Sequence, residues 1–213
     1  MLLLDNDVLI KCSCYALLTK IQRSSDAPDG ILGAAPYVVR HHLAKSGRVQ
    51  DREGARQRFE KYLETAAILE PTDAEAKLSA DIEEAATKLG AQLDTGESQL
   101  CAIAILRGSY MLLTGDKRAI QGAEQIHRTV RSFTKLRGRL VCLEQAIAGI
   151  ATRVGPDEVR ILICAEPAID KSLAICFSCA SNTAIGFDLT GLASYVSDMR
   201  KHAPTMLYPA TYL

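Results

Sequence analysis

Leu93-Asp94-Thr95-Gly96, then Glu97 to Leu106, then Tyr110-Met111-Leu112-Leu113-Thr114-Gly115-Asp116 make up the most informative stretch of the chain. The first four residues read as a turn, because Asp bonds its own backbone and Gly is free at φ. Glu97 to Leu106 reads as a helix with Leu100, Ile103 and Ala104 on its apolar side. Tyr110 to Thr114 is a short apolar run closed by turn formers, the pattern of a buried strand, and Gly115-Asp116 opens another helix. Helices between buried strands imply crossover connections, and crossovers make neighbouring strands parallel.

The same alternation extends outward in both directions. Leu2-Leu3-Leu4 is a strand ending in Asp5-Asn6-Asp7, and the helix after it carries Val8, Leu9, Tyr15, Leu17, Leu18 and Ile21. Ser24 to Gly30 reads as a loop, and Pro36 starts a helix bearing Val38, Val39, His42 and Leu43. Arg52 to Thr65 is a charged helix, and Ala67-Ile68-Leu69 is a short strand closed by Glu70-Pro71. Thr72 or Asp73 caps a helix that runs to Leu89 and ends at Gly90. Leu140 to Leu143 is a last strand, with a helix following through Ile150. The expectation is an α/β/α sandwich with a central parallel sheet covered on both faces. Past Gly155-Pro156 the strand signals fade. Asp157 to Glu166, Pro167 to Ala180 and Leu189 to His202 read as helices, punctuated by Asn182 and Gly186. The chain therefore divides into a sheet domain at 1–150 and a helical C-terminal extension at 151–213.

At 213 residues, 48% hydrophobic and 23% charged, the composition is that of a globular domain with an appendage and excludes general disorder. No apolar run approaches the roughly 20 residues of a membrane span. Met1 to Leu4 meets Asp5 with no basic segment before it, so no signal peptide is expected. Seven cysteines, an odd number, suit a reducing cytoplasm. Cys176-x-x-Cys179 lacks the second pair of a zinc site and reads as core packing. Charge balances at 25 basic and 25 acidic residues, but unevenly. Residues 50–100 hold 12 acidic and 6 basic residues, whereas 117–139 hold seven basic residues (Lys117, Arg118, Arg128, Arg131, Lys135, Arg137, Arg139) and one acid, Glu124. That asymmetry fits carboxylates beside a phosphate-binding surface, or two solvated faces of opposite sign.

In a parallel sheet, ligands bind beyond the carboxyl ends of the strands. Asp5 and Asp116 stand at two such ends, Asp7 lies close by, and Glu97 starts the helix that feeds the second strand. Carboxylates gathered there repel one another unless a divalent cation lies among them, and oxygen-only ligands suit Mg2+ or Mn2+. Taken alone, Asp7 reads first as a helix N-cap, Asp94 as a turn residue, Glu97 as a charge favouring the helix dipole and Asp116 as another cap.

Three segments resemble the PIN-domain nucleases: Leu2-Leu3-Leu4-Asp5-Asn6-Asp7-Val8-Leu9, Gly96-Glu97-Ser98-Gln99-Leu100-Cys101-Ala102-Ile103-Ala104, and Leu112-Leu113-Thr114-Gly115-Asp116-Lys117. The resemblance covers 1–150 and implies Mg2+- or Mn2+-dependent RNA cleavage. It places metal ligands at Asp5, Glu97 and Asp116, with Asp7 and His42 as lesser ones. Many such proteins are toxins held by an antitoxin. The sequence departs from the family on the helix Pro36 to Leu43, where His42 stands in place of a further acid; His42 reads first as a packing residue, and Asp7 is the other candidate for the missing acid. The helix starts at Asp7 and Asp116 are expected to leave amides free for phosphate. Lys117, Arg118, Arg128, Arg131, Lys135, Arg137 and Arg139 are expected to hold the RNA backbone. Two other readings stand beside this one. The first is a PIN-like module that binds nucleic acid or protein without cutting. The second is a haloacid-dehalogenase-like phosphatase with Asp5 as nucleophile and Asp7 as acid; that family's second late Asp is missing here.

The extension carries apolar stripes, Ile161, Ile163, Cys164 and Leu192, Tyr195, Val196, Met199. Five of the chain's eleven Phe and Tyr residues (Phe177, Phe187, Tyr195, Tyr208, Tyr212) follow residue 170. Because aromatics are favoured in interface cores, a homodimer contact or a surface for an inhibitory partner is expected here, or else completion of the monomer's own core.

Overall fold

A computed structural model describes residues 1–21, 27–108, 110–180 and 188–210. Five strands, β1 (Leu2–Leu4), β2 (Gly30–Leu32), β3 (Ala67–Leu69), β4 (Met111–Thr114) and β5 (Leu140–Cys142), form one all-parallel sheet in the order β3-β2-β1-β4-β5. The helices between them are α1 (Asn6–Cys14), α2 (Ala35–Lys45), α3 (Arg52–Leu63), α4 (Asp73–Leu89), α5 (Thr95–Arg107) and α6 (Lys117–Ile126). After β5 come α7 (Leu143–Val154), α8 (Pro156–Cys164), α9 (Lys171–Cys176) and α10 (Thr190–His202).

The period of two along each strand builds both faces. Leu2, Leu4, Ile31, Leu113 and Val141 point into one core, shared with α1, α2, α3, α7, α8 and α9. Leu3, Leu32, Leu69, Leu112, Leu140 and Cys142 point into the other, shared with α4, α5 and α6. Helix α10 joins the two, with Leu192 in the first core and Val196 and Met199 in the second. The segment after it adds a further rung to the sheet edge: the amide of Leu140 donates to Met206 O (3.1 Å), and that of Tyr208 donates to Leu140 O (2.7 Å).

Three expectations need correction. Strand β2 lies where a loop ending at Gly30 was expected. Its Gly30 sits so close to its neighbours that a Cβ there would come within 2.7 Å of Leu69 and 2.8 Å of Leu3, so the glycine is what lets three strands pack. The first helix stops at Cys14, followed by Ala16 at φ 56° and a short 3-10 turn, Leu18–Lys20. The helix expected over Pro167 to Ala180 spans only Lys171–Cys176, capped by Asp170. Past Gly155 the described residues hold no strand, as expected, but an isolated bridge at Leu207 sets residues 206–208 beside β5.

The extension mostly buries its own apolar groups. Phe177 is fully buried, and Tyr195 is engaged within the chain, its hydroxyl 3.0 Å from Ser172 Oγ. Ile161, expected in a buried stripe, is 69% exposed, as is Ile175 at 77%. Phe187 and Tyr212, together with Ser24, Asn182 and Gly186, lie outside the described residues. No helix among the described residues is long and apolar enough to cross a membrane.

Cysteine chemistry departs from expectation too. Cys179 is not a packing thiol but forms a disulfide with Cys164 across 15 residues of sequence, tying the end of α8 to the turn after α9. Closing a loop of that length removes on the order of 3 kcal/mol of unfolded-chain entropy. Cys179→Ser, or reduction with dithiothreitol, is therefore expected to lower the unfolding free energy by about 3 kcal/mol. Denaturant titration followed by circular dichroism checks this, and an unchanged midpoint would refute it.

Candidate active site

The sheet order reverses at β1, whose neighbours β2 and β4 continue in opposite directions, so the crevice lies beyond the carboxyl ends of β1 and β4. A cavity of about 500 Å³ opens there, lined by Asp5, Asn6, Asp7, Ile10, Lys11, Val38, His42, Asp94, Glu97, Gly115, Asp116 and Arg118. All five expected metal-ligand candidates thus face one space.

Asp5 follows β1 directly and is 7% exposed. It, and not Asp7, caps α1, accepting from the Asn6 amide at 2.7 Å. Thr114 Oγ1, at the end of β4, donates to Asp5 Oδ2 at 3.2 Å and accepts from the Asp116 amide at 3.0 Å. One hydroxyl therefore fixes two acids on adjacent strands. Burial pushes the Asp5 carboxyl up to about 6, helped by the nearby charges of Asp7 and Asp94 and opposed by the bonds from Asn6 and Thr114.

Glu97 is 5% exposed and sits in the first turn of α5. Asp94 and Glu97 form a reciprocal capping box: the Glu97 amide donates to Asp94 Oδ1 (2.8 Å) and the Asp94 amide to Glu97 Oε2 (2.9 Å). Burial raises the Glu97 carboxyl to about 8; the Asp94 amide opposes the rise, while the charges of Asp94, Asp5 and Asp116 reinforce it. Asp116 caps α6 through the Arg118 amide (2.8 Å) and pairs with the Arg118 guanidinium at 3.1 and 2.8 Å. The caps at Asp5 and Asp116 thus take up amides expected to be free for phosphate.

Asp7 lies in the first turn of α1, with its carboxylate 2.7 Å from Lys11 Nζ. It also lies against Gly115, where any Cβ would overlap Asp7 Oδ2. His42 is exposed rather than packed, and it lines the cavity rim. Among the described residues, no group of three or more His, Cys, Asp or Glu side chains stands ready as oriented to hold an ion. Asp5 and Glu97 are turned to their own helix starts, Asp116 to Arg118 and Asp7 to Lys11.

The expected basic surface divides. Arg118 lines the cavity, but Lys117 is held inward, 2.8 Å from the buried Glu144 and with its ammonium 3.4 Å from the Tyr195 ring centroid. Arg128, Arg131, Lys135, Arg137 and Arg139 lie beyond the far end of α6 or at the start of β5, the edge where the strands begin. The ten residues of α6 put about 15 Å between that edge and the cavity.

Reading the sequence alone missed three contributors: Lys11, Thr114 and the capping role of Asp94. The last was visible as Asp-x-x-Glu over 94–97, a capping-box spacing. Lys11 had no local signal, since its second partner, Asp170, is distant in sequence. Against models of known protein families, curated proteins and solved structures, the chain gives no match.

Proposed function

We propose that the protein is a Mg2+- or Mn2+-dependent nuclease of the PIN type that hydrolyses RNA phosphodiester bonds. The observation that carries this reading is the convergence of Asp5, Asp7, Asp94, Glu97 and Asp116 on one cavity at the ends of β1 and β4. Two of these carboxyls, Asp5 and Glu97, are pushed up to about 6 and about 8, by burial first and by their acidic neighbours second; a divalent cation among them would relieve that repulsion, at the cost of displacing the protons they hold. The carboxylates lining the cavity are the oxygen donors such an ion takes, although as oriented Asp5 is turned to Asn6, Asp7 to Lys11 and Asp116 to Arg118.

Asp5, Glu97 and Asp116 would hold it. Bound there, a divalent ion supplies Lewis acidity and lowers the pKa of a water. The remaining work belongs to the chain. Thr114 keeps Asp5 and Asp116 in register, Asp94 aims Glu97 through the capping box, and Arg118 is the exposed cation beside the cavity. The distant basic edge would contact only RNA long enough to run past α6, as a sequence-blind and salt-sensitive contribution. The phosphatase reading fares worse, because Asp7, its proton donor, is tied up by Lys11.

The test is cleavage of single-stranded RNA by the purified chain with Mn2+ or Mg2+, with and without chelator. Asp116→Asn keeps the size of the side chain and the α6 cap acceptor but loses the charge. A drop in rate of about 100-fold or more is expected, consistent with the cost of removing a group that stabilises transition-state charge. Equal residual cleavage by wild type and variant would mean a contaminant and would sink the reading.

A further inference from the structure

Lys11 lines the cavity, and the metal-dependent reading leaves it without a role. It lies one turn into α1, and its side chain is only 15% exposed. Its ammonium is held at 2.7 Å by Asp7 from its own helix and at 2.7 Å by Asp170 from the C-terminal region. Asp170 is not free to follow the lysine about, because its other oxygen caps α9 through the amides of Ser172 (2.8 Å) and Leu173 (3.0 Å). The ammonium is therefore fixed in the cavity wall by a carboxylate that is itself fixed.

Charge pairing then limits what the cavity can take. Of its five carboxylates, Asp7 is matched by Lys11 and Asp116 by Arg118. Asp94 is exposed to water, whereas Asp5 and Glu97 are buried and make their hydrogen bonds to backbone amides and a hydroxyl. Once both are ionised, Asp5 and Glu97 carry two negative charges, which one divalent ion balances. His42, at the rim, adds no negative charge that would attract a second.

We propose that Lys11 takes the place of a second metal ion in the site. It holds Asp7 out of the ligand set, limits the chain to one divalent ion, and supplies from the protein a positive charge that faces the substrate phosphate. An ammonium has three donors, and Asp7 and Asp170 take two of them, which leaves one N–H for a phosphate oxygen. This rests on the metal-dependent reading above, and the experiment separates the two.

The full-length chain, stripped with chelator, is titrated with Mn2+ by isothermal calorimetry without RNA. Wild type is expected to bind one ion per chain. Lys11→Met frees Asp7 and is expected to bind two. Because that variant leaves Asp170 without its cation, the double variant Lys11→Met/Asp170→Asn is run beside it, also with two ions expected. Lys11→Arg keeps the charge and is expected to bind one. Two ions in wild type would overturn the role of Lys11 while leaving metal-dependent cleavage standing. One ion in wild type and in both methionine variants would overturn it as well. No ion in wild type would remove the metal-dependent reading, and this proposal with it.

Discussion

Replacing Glu97 with glutamine is expected to stabilise the metal-free protein at pH 8 by on the order of 4 kcal/mol. The folded carboxyl titrates near 8 and the unfolded one near the ordinary 4.5. Between those values the folded chain holds a proton that the unfolded chain has lost. Stability therefore falls as pH rises through that window, by about 1.4 kcal/mol for each pH unit crossed. Glutamine keeps the acceptor that the Asp94 amide needs, so the capping box survives while the charge goes. Below pH 4.5, the ordinary value, the two proteins are expected to match. If the site takes Mn2+ as proposed, the ion is expected to stabilise wild type more at pH 8 than at pH 5, because it would bind the ionised acid, and to do little for the variant. Thermal unfolding at the two pH values, in chelator and in Mn2+, measures all of this. A gap between variant and wild type that fails to widen from pH 5 to pH 8 in chelator would contradict it.

The second large effect is at the other end of the same helix. Arg107, the last residue of α5, grips Glu75 with two nitrogens, Nε to Oε1 at 2.7 Å and a terminal nitrogen to Oε2 at 2.8 Å. It also donates to Glu70 O at 2.9 Å. Glu75 is 2% exposed and serves the Thr72 capping box of α4, so this fork locks the start of α4 to the end of α5. Removing the guanidinium strands a buried carboxylate, and Arg107→Ala is expected to cost about 3 kcal/mol. Arg107 holds the Glu75 carboxyl down at about 2, with the Thr72 contacts adding to it against burial. The stability that the pair supplies is thus fully present above the ordinary value of 4.5 and is lost as pH falls towards 2. Urea unfolding at pH 7 and pH 3 tests both the size and the sign; a variant as stable as wild type at pH 7 would refute it.

Much of the sheet was readable because its strands are apolar triplets or quartets closed by Asp, Gly or Pro. Leu2 to Leu4, Ala67 to Leu69 and Met111 to Thr114 all have that form. Strand β2 does not, since it opens on a glycine and follows a loop-forming stretch, and the need for that glycine comes from Leu3 and Leu69 on neighbouring strands. The acids of the cavity were readable because a parallel sheet sends every strand end to the same side. The same rule misplaced the basic cluster. A helix returning from one strand end to the next strand start must carry its C-terminal residues away from the site, so Arg128 to Arg139 were bound to finish at the opposite edge. Lys11 and Asp170 were beyond reach for a different reason: they come together only after the chain beyond α7 has folded back onto α1.

The pairing of residues 206–208 with β5 has a consequence for how the molecule is made. During synthesis β5 emerges more than sixty residues before the segment that covers it. Until then the nascent sheet presents a row of unpaired amides and carbonyls at β5, a template to which another nascent copy can add a strand. The order of translation thus sets a period of vulnerability that ends only when Met206 to Tyr208 arrive. Crowded ribosomes on one message, or a stall in the α10 codons, would lengthen that period and favour chain-to-chain pairing over the native closure.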